Sequence, residues 1–307
     1  MKQFNELVVV SDNFYPDYTG GAEMTTEAIL EGFDGTIKRI KSKDVNYLTI
    51  AMNRKKLWLF TNIDKIDKSL LGVIAKNLTY FTIEYDFKFC KLRSPDKHIY
   101  LDRSKPTPIG SIVNFIDDAK GVFFMSHEQM LETINHVGRA YRAPAFVIGS
   151  CFRKETLNHI ETLCTQEHER TNKWLIFYGE SWVKGTNTAT ERAVSRGYEY
   201  EFVEKMKHRD VLAKLRKSHG LVYTPNGGDT CPRLVIEAKL LGCELELNEN
   251  VMHKDEPWFN QDANQVMNYL RMRPAVFWHR ANQLLEKESK DVHLSEQENR
   301  QKIQSVN

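Results

Sequence analysis

The chain has 307 residues, of which 43 are Lys or Arg and 41 Asp or Glu, for a net charge of +2. Its length suggests two domains rather than one small module. The near-neutral balance excludes a strongly basic nucleic-acid reader, and 41% hydrophobic with 27% charged residues excludes a disordered chain.

The first apolar run, Leu7–Val10, is too short for a signal-peptide core and reads as a buried strand. A mean hydropathy of −0.51 and the lack of any apolar run near ~18 residues argue against a transmembrane helix. A cytoplasmic protein is expected, with peripheral membrane contact left open. The five cysteines, Cys90, Cys151, Cys164, Cys231 and Cys243, are odd in number and lack a C-x-x-C pair, so reduced thiols are expected rather than a disulfide framework or a zinc site. Asn77-Leu78-Thr79 matches a glycosylation sequon, incidental without export.

Short runs rich in Val, Ile, Phe and Tyr predict strands at Leu7–Val10, Leu57–Thr61, Leu78–Ile83, Gly121–Met125 and Ala145–Ile148. A second series follows at Trp174–Tyr178, Tyr200–Val203, Leu221–Thr224 and Cys243–Leu247. Between them amphipathic stretches predict helices at Ala22–Phe33, Lys68–Lys76, Glu128–Val137, Lys154–Glu167, Thr188–Arg196, Asp210–Lys217 and Pro232–Leu241. This alternation implies βαβ units and parallel sheets. The series restarts near residue 150, which divides the chain into residues 1–150 and 151–273. From Asp262 the pattern is helical, and Pro274 is placed at the start of a last amphipathic helix, residues 274–307, with an exposed polar end from Lys287.

In open parallel sheets ligands lie beyond the carboxyl ends of the strands, so chemistry is expected in the loops there. After the first strand, Gly20-Gly21 stand at a helix start. Glycines there either satisfy the loop's backbone angles or let N–H groups approach an anion. After Trp174–Tyr178 comes a loop with Lys184-Gly185, where the lysine precedes the glycine, unlike a Walker P-loop. That lysine is either solvated or a point charge for a diphosphate. The segment 222–242, VYTPNGGDTCPRLVIEAKLLG, holds Gly228, Asp229, Thr230, Arg233 and Glu237. Asp229 or Thr230 is placed to cap a helix with Pro232 in its first turn. Asp229 and Glu237 are eight positions apart. They are either a cap and a surface acid, or a pair that accepts hydrogen bonds from sugar and ribose hydroxyls. Arg233 can reach phosphate oxygens.

This order of segments, ending in P-N-G-G-D-(seven residues)-E-A-x-x-x-G, resembles GT-B glycosyltransferases, and within them the retaining, family-4-like group. The likeness runs over roughly residues 7–285, with only 225–242 fairly specific. It implies an α/β fold of two Rossmann-like domains with parallel sheets facing a cleft. Residues 1–150 would form the acceptor side and 151–273 the nucleotide-sugar side, with 274–307 as a helix crossing back to the N-terminal domain and a polar tail. It implies transfer of a sugar from a nucleoside-diphosphate-sugar to an acceptor hydroxyl with retention of configuration. Lys184 falls on the diphosphate lysine, Gly20 and Gly21 on the N-terminal glycine loop, Asp229 near the donor sugar and Glu237 on the ribose. Departures are Gly179-Glu180, where Gly-Arg is usual, and a loop about one residue shorter; Arg233 is the substitute cation.

On the acceptor side, Glu84, Asp86, Lys88, Arg93 and His98 crowd into fifteen residues. Asp86 or His98 could orient an acceptor hydroxyl, or the segment is a solvated loop with local ion pairs. His127 follows a strand on the same side. The chain has no Asp-x-Asp, so neither a metal nor any other cofactor is expected, and the leaving diphosphate would be stabilised by cations and helix N–H groups. A glycan, a lipid-linked compound or a small molecule would be the acceptor. Two alternatives are a catalytically degenerate nucleotide-binding relative and a nucleotide-sugar-modifying α/β enzyme.

Overall fold

A computed structural model describes residues 4–167 and 169–304, with side chains described through residue 287. The N-terminal half runs β1 (Glu6–Ser11), α1 (Gly21–Leu30), β2 (Thr36–Lys41), α2 (Tyr47–Met52), β3 (Leu57–Phe60), α3 (Leu71–Asn77), β4 (Thr79–Glu84), α4 (Pro95–Tyr100), α5 (Gly110–Asp117), β5 (Gly121–Phe124), α6 (His127–Val137) and β6 (Ala145–Val147). The C-terminal half runs α7 (Lys154–Thr165), β7 (Trp174–Phe177), α8 (Thr186–Ser195), β8 (Tyr200–Val203), α9 (His208–Lys217), β9 (Gly220–Tyr223), α10 (Arg233–Leu240) and β10 (Glu244–Leu247), and ends with α11 (Ala263–Gln304).

All strand pairs are parallel. The first sheet has the order β2-β1-β3-β4-β5-β6 and the second β10-β9-β7-β8. Both therefore wind outward from their first strand in opposite directions. The reversal lies between β1 and β3 in one sheet and between β7 and β9 in the other. At such a switch point the flanking loops diverge and leave a crevice at the carboxyl ends of the strands.

Period-two alternation explains why the central strands read as unbroken apolar runs. Leu7 and Val9 join one core layer, Val8 and Val10 the other; Leu57 and Leu59 likewise oppose Trp58 and Phe60. One core layer continues from the first sheet through Phe152, Leu175 and Val235 to Phe277, so the two halves share packing.

The sequence reading omits β2, α2, α4 and α5. The edge strand β2, TIKRIK, carries charge at three of its six positions, as edge strands do. Both α2 and α4 are six residues long, too short to show a periodic apolar stripe. The last helix is a correction. Pro274 does not open a new helix but sits inside α11. An interior proline costs ~3 kcal/mol, and packing on both sides offsets it. Leu270 and Phe277 are fully buried. Arg273 donates to the carbonyls of Val147 and Ile148, both at 2.7 Å. The Trp278 indole N–H donates to Ile29 O at 2.8 Å, so α11 holds the N-terminal half as well. The side chains of the polar tail beyond Lys287 lie outside the described residues. No helix among the described residues is long and apolar enough to cross a membrane.

Candidate functional site

The loops after β1, β3, β4, β5, β6, β7 and β9 surround a cleft of about 410 Å³ between the two halves. Its N-terminal wall includes Gly21, Ala22, Asn62, Asp86, Arg93 and Lys97, and its C-terminal wall Lys184, Gly228, Asp229, Thr230 and Arg233. Chain topology thus brings Gly21, Lys184, Gly228, Asp229, Thr230 and Arg233 together.

Lys184 ends a single turn of 3-10 helix, and Gly185 follows with φ +64°. Gly185 is obligatory twice over. Its φ is left-handed, and a Cβ there would lie 2.2 Å from Thr224 O. This close approach presses the β7 loop onto the β9 loop. Asn226 secures it by donating to Trp182 O at 2.8 Å and, from its backbone, to Val183 O at 3.0 Å. Lys184 Nζ consequently meets Asp229 Oδ2 at 2.7 Å. The buried Tyr223 hydroxyl donates to the same oxygen at 2.5 Å, and burial with the Asp229 charge holds its pKa well above that of a free phenol. Asp229 therefore does not cap α10, whose start at Pro232 has no side-chain cap.

Arg233 is 6% exposed and crosses between the halves. Its Nη1 donates to Cys151 O, its guanidinium lies 3.8 Å over the Phe152 ring, and its Cδ would be 3.5 Å from a Cβ on Gly21. Nε and Nη2 are buried without a hydrogen-bond partner. Burial lowers its pKa. Beside it, α1 opens at Gly20 with no side-chain cap. Glu23, itself buried, lies over that turn, where a Cβ on Gly20 would touch its carboxylate, and desolvation raises its pKa toward the neutral form.

Glu237 does not line the cleft. It is 3% exposed, accepts from or shares a proton with His208 Nε2 at 2.8 Å, and stands 3.8 Å from Arg233 Nη2. Thr230 Oγ1 donates to Tyr85 O at 2.8 Å, a link across the halves. Gly228 N–H is held by Asp96 Oδ2 at 2.8 Å.

The acceptor-side candidates separate. Asp86 faces the cleft but is paired with Arg93 at 2.6 Å. Arg93 also donates to Asn62 Oδ1 at 2.8 Å and lies 3.9 Å from Asp12. His98 is buried away from the cleft lining, with Nε2 accepting from Leu92 N–H at 3.2 Å and Nδ1 bonded to Ser104 Oγ at 2.9 Å. His127 opens α6, and Glu256 from the C-terminal half binds both its backbone N–H at 2.7 Å and its ring Nδ1 at 2.9 Å. Among the described residues no three or more His, Cys, Asp or Glu side chains are grouped to hold a metal.

Sequence reading missed Tyr223, Asn226 and Asp96 as site residues. Asn226 alone had a signal, its place in the N-G-G turn. Tyr223 looked like strand core, and Asp96 lies in a helix too short to predict.

No family model matches the chain, and no curated protein matches it in sequence. Solved structures do match. HepE of Anabaena, in complex with UDP and glucose, is 12% identical with a TM-score of 0.53, covering 94% of this chain and 99% of that one. UDP-N-acetylglucosamine 2-epimerase of Rickettsia bellii is 9% identical (TM-score 0.45, 89% and 88% covered). UGT2 of Phytolacca americana, complexed with UDP-2fluoro-glucose and pterostilbene, is 8% identical (TM-score 0.33, 90% and 95% covered). The likeness to HepE spans nearly the whole of both chains. Together with two parallel α/β sheets whose switch points face one cleft, it shows that this chain has the GT-B fold.

Proposed function

We propose that the cleft binds a nucleoside-diphosphate-sugar and that the protein transfers the sugar to an acceptor hydroxyl. One observation carries this reading: Arg233, buried and lining the cleft, has two donors with no hydrogen-bond partner, the nearest carboxylate being Glu237 at 3.8 Å. A buried unpaired donor costs ~1–3 kcal/mol, and an anion is the group that satisfies two guanidinium N–H bonds at once. The uncapped start of α1 and Lys184 flank the same space, as a diphosphate with several negative oxygens requires. Arg233 thus supplies the cation that Gly179-Glu180 lacks. HepE, with the same fold, binds UDP and glucose, so UDP is the first nucleotide to try.

In the proposed reaction the bond from the anomeric carbon to the diphosphate breaks, and the acceptor oxygen bonds to that carbon on the same face. The acceptor proton passes to the leaving phosphate, so retention needs no strong protein base. Lys184, Arg233 and the α1 N–H groups take up the charge that grows on the diphosphate. Asp229, anchored by Lys184 and Tyr223, would accept hydrogen bonds from donor hydroxyls. No metal enters. Residues 1–150 would serve the acceptor and 151–273 the donor.

A second reading, a nucleotide-binding relative without turnover, is favoured by one feature: Asp229 and Glu237 are already engaged within the protein. Calorimetric titration with UDP, GDP and ADP, then with their sugar conjugates, tests both. Binding of one diphosphate followed by transfer or hydrolysis of its sugar supports the first. Binding with no turnover of any conjugate supports the second, and no binding at all refutes both.

A further inference from the structure

Ile99, Tyr100 and Leu101 are three consecutive large apolar residues, 49%, 65% and 54% exposed. They close α4 and the turn after it. The row is held outward by its own buried side. Pro95 opens the helix, Ser94 Oγ caps it by accepting Lys97 N–H at 3.3 Å, and His98 fastens it to Leu92 before and Ser104 after. His98 is thereby a positioning residue for the row.

Cations surround the row. Lys91, Arg103 and Lys105 are exposed. The nearby acids are engaged: Asp102 accepts from Ser104 Oγ at 2.8 Å, and Asp96 holds Gly228 N–H. The Tyr100 ring lies 6.2 Å from that of Trp182, in the turn that carries Lys184. The row therefore ends at the mouth of the cleft.

We propose that this face docks on an anionic lipid surface, with Ile99, Tyr100 and Leu101 entering the interface and Lys91, Arg103 and Lys105 against the headgroups. Apolar side chains projecting from a cationic rim match that surface in both respects, since apolar insertion and attraction to anionic lipid add. Tyrosine suits the boundary between headgroup and acyl chain. A second copy of the chain would set one basic rim against another, and like charges across an interface disfavour that pairing. The proposal stands apart from the donor reading, because none of these residues is assigned to the diphosphate.

The test is flotation of the full chain with vesicles of phosphatidylcholine alone and of phosphatidylcholine mixed with phosphatidylglycerol. Binding is expected to the anionic vesicles and is expected to fall with salt. The combined variant Ile99→Ser, Tyr100→Ser and Leu101→Ser should lower partitioning about tenfold or more, and Arg103→Glu with Lys105→Glu should abolish the preference for anionic lipid. Nucleotide binding should survive in both, which separates this proposal from the donor site. Should the apolar variant fail to fold, the charge-reversed pair decides. No partitioning of the parent protein, or equal partitioning of the variants, overturns the proposal. So does self-association of the parent that the apolar variant loses, which would assign the face to a second copy.

Discussion

Lys184 Nζ stands 2.7 Å from Asp229 Oδ2, although the two residues lie 45 positions apart. The contact joins the loops on either side of the switch point in the second sheet, and Tyr223 supports it from below. Asp229 screens the lysine charge, and a bound diphosphate would compete for it.

That competition gives the first prediction. Lys184→Ala should weaken nucleoside diphosphate binding roughly tenfold to a hundredfold, the loss of one charge-assisted hydrogen bond of ~1.5–3 kcal/mol. Binding of the bare nucleoside should change little. Calorimetry on both ligands separates the two, and equal losses would remove Lys184 from the phosphate.

Arg233→Met should destabilise the fold. Methionine fills similar volume and removes two unpaired donors, but it strips the buried Glu237 carboxylate of the cation 3.8 Å away. The same variant should bind nucleoside diphosphate at least ~tenfold more weakly. Thermal unfolding with and without ligand reads both effects. A large fall in Tm with unchanged affinity would make Arg233 a purely structural cation.

Glu237→Ala should destabilise the fold by ~2 kcal/mol, because it leaves His208 Nε2 without its hydrogen-bond partner and the buried Arg233 guanidinium without the carboxylate 3.8 Å away. Its ribose role is a separate question with a separate readout. If the carboxylate meets ribose only after His208 turns away, discrimination between a nucleoside diphosphate and its 2′-deoxy form will vanish in the variant. From its buried position we expect that discrimination to persist.

Glu132 gives a pH prediction. It stands beside Gly228, and burial, then the Asp96 and Glu128 charges, raise its pKa from 4.5 to about 7. Between those values the folded protein keeps a proton that the unfolded chain has released, so this group's contribution to stability falls as pH rises through that window. A shift of that size corresponds to ~3 kcal/mol at most. Glu132→Gln should flatten the dependence of Tm on pH between about 5 and 7 and raise Tm at pH 8. An unchanged profile would rule out a carboxyl held neutral there.

The central strands were legible because burial on both faces of a parallel sheet demands near-continuous apolar residues; Leu7–Val10, Leu57–Phe60 and Gly121–Phe124 carry that demand openly. Local chemistry also marked Lys184-Gly185 and the N-G-G turn, since left-handed backbone and close loop contact leave glycine no substitute. What local pattern could not reveal was decided by contacts between distant segments. Pro274 lies within a helix because Trp278 and Arg273 anchor both of its sides to the N-terminal half. Glu237, eight positions after Asp229, is not among the residues that line the cleft because α10 brings it to His208. Asp96 reaches Gly228 only because the two sheets are brought face to face. The sequence by itself determined which residues must be buried and where the chain must turn, as those follow from solvation and backbone sterics. Tertiary structure alone decided which charges meet, because the partner of a charged group is set by packing rather than by its neighbours in the chain.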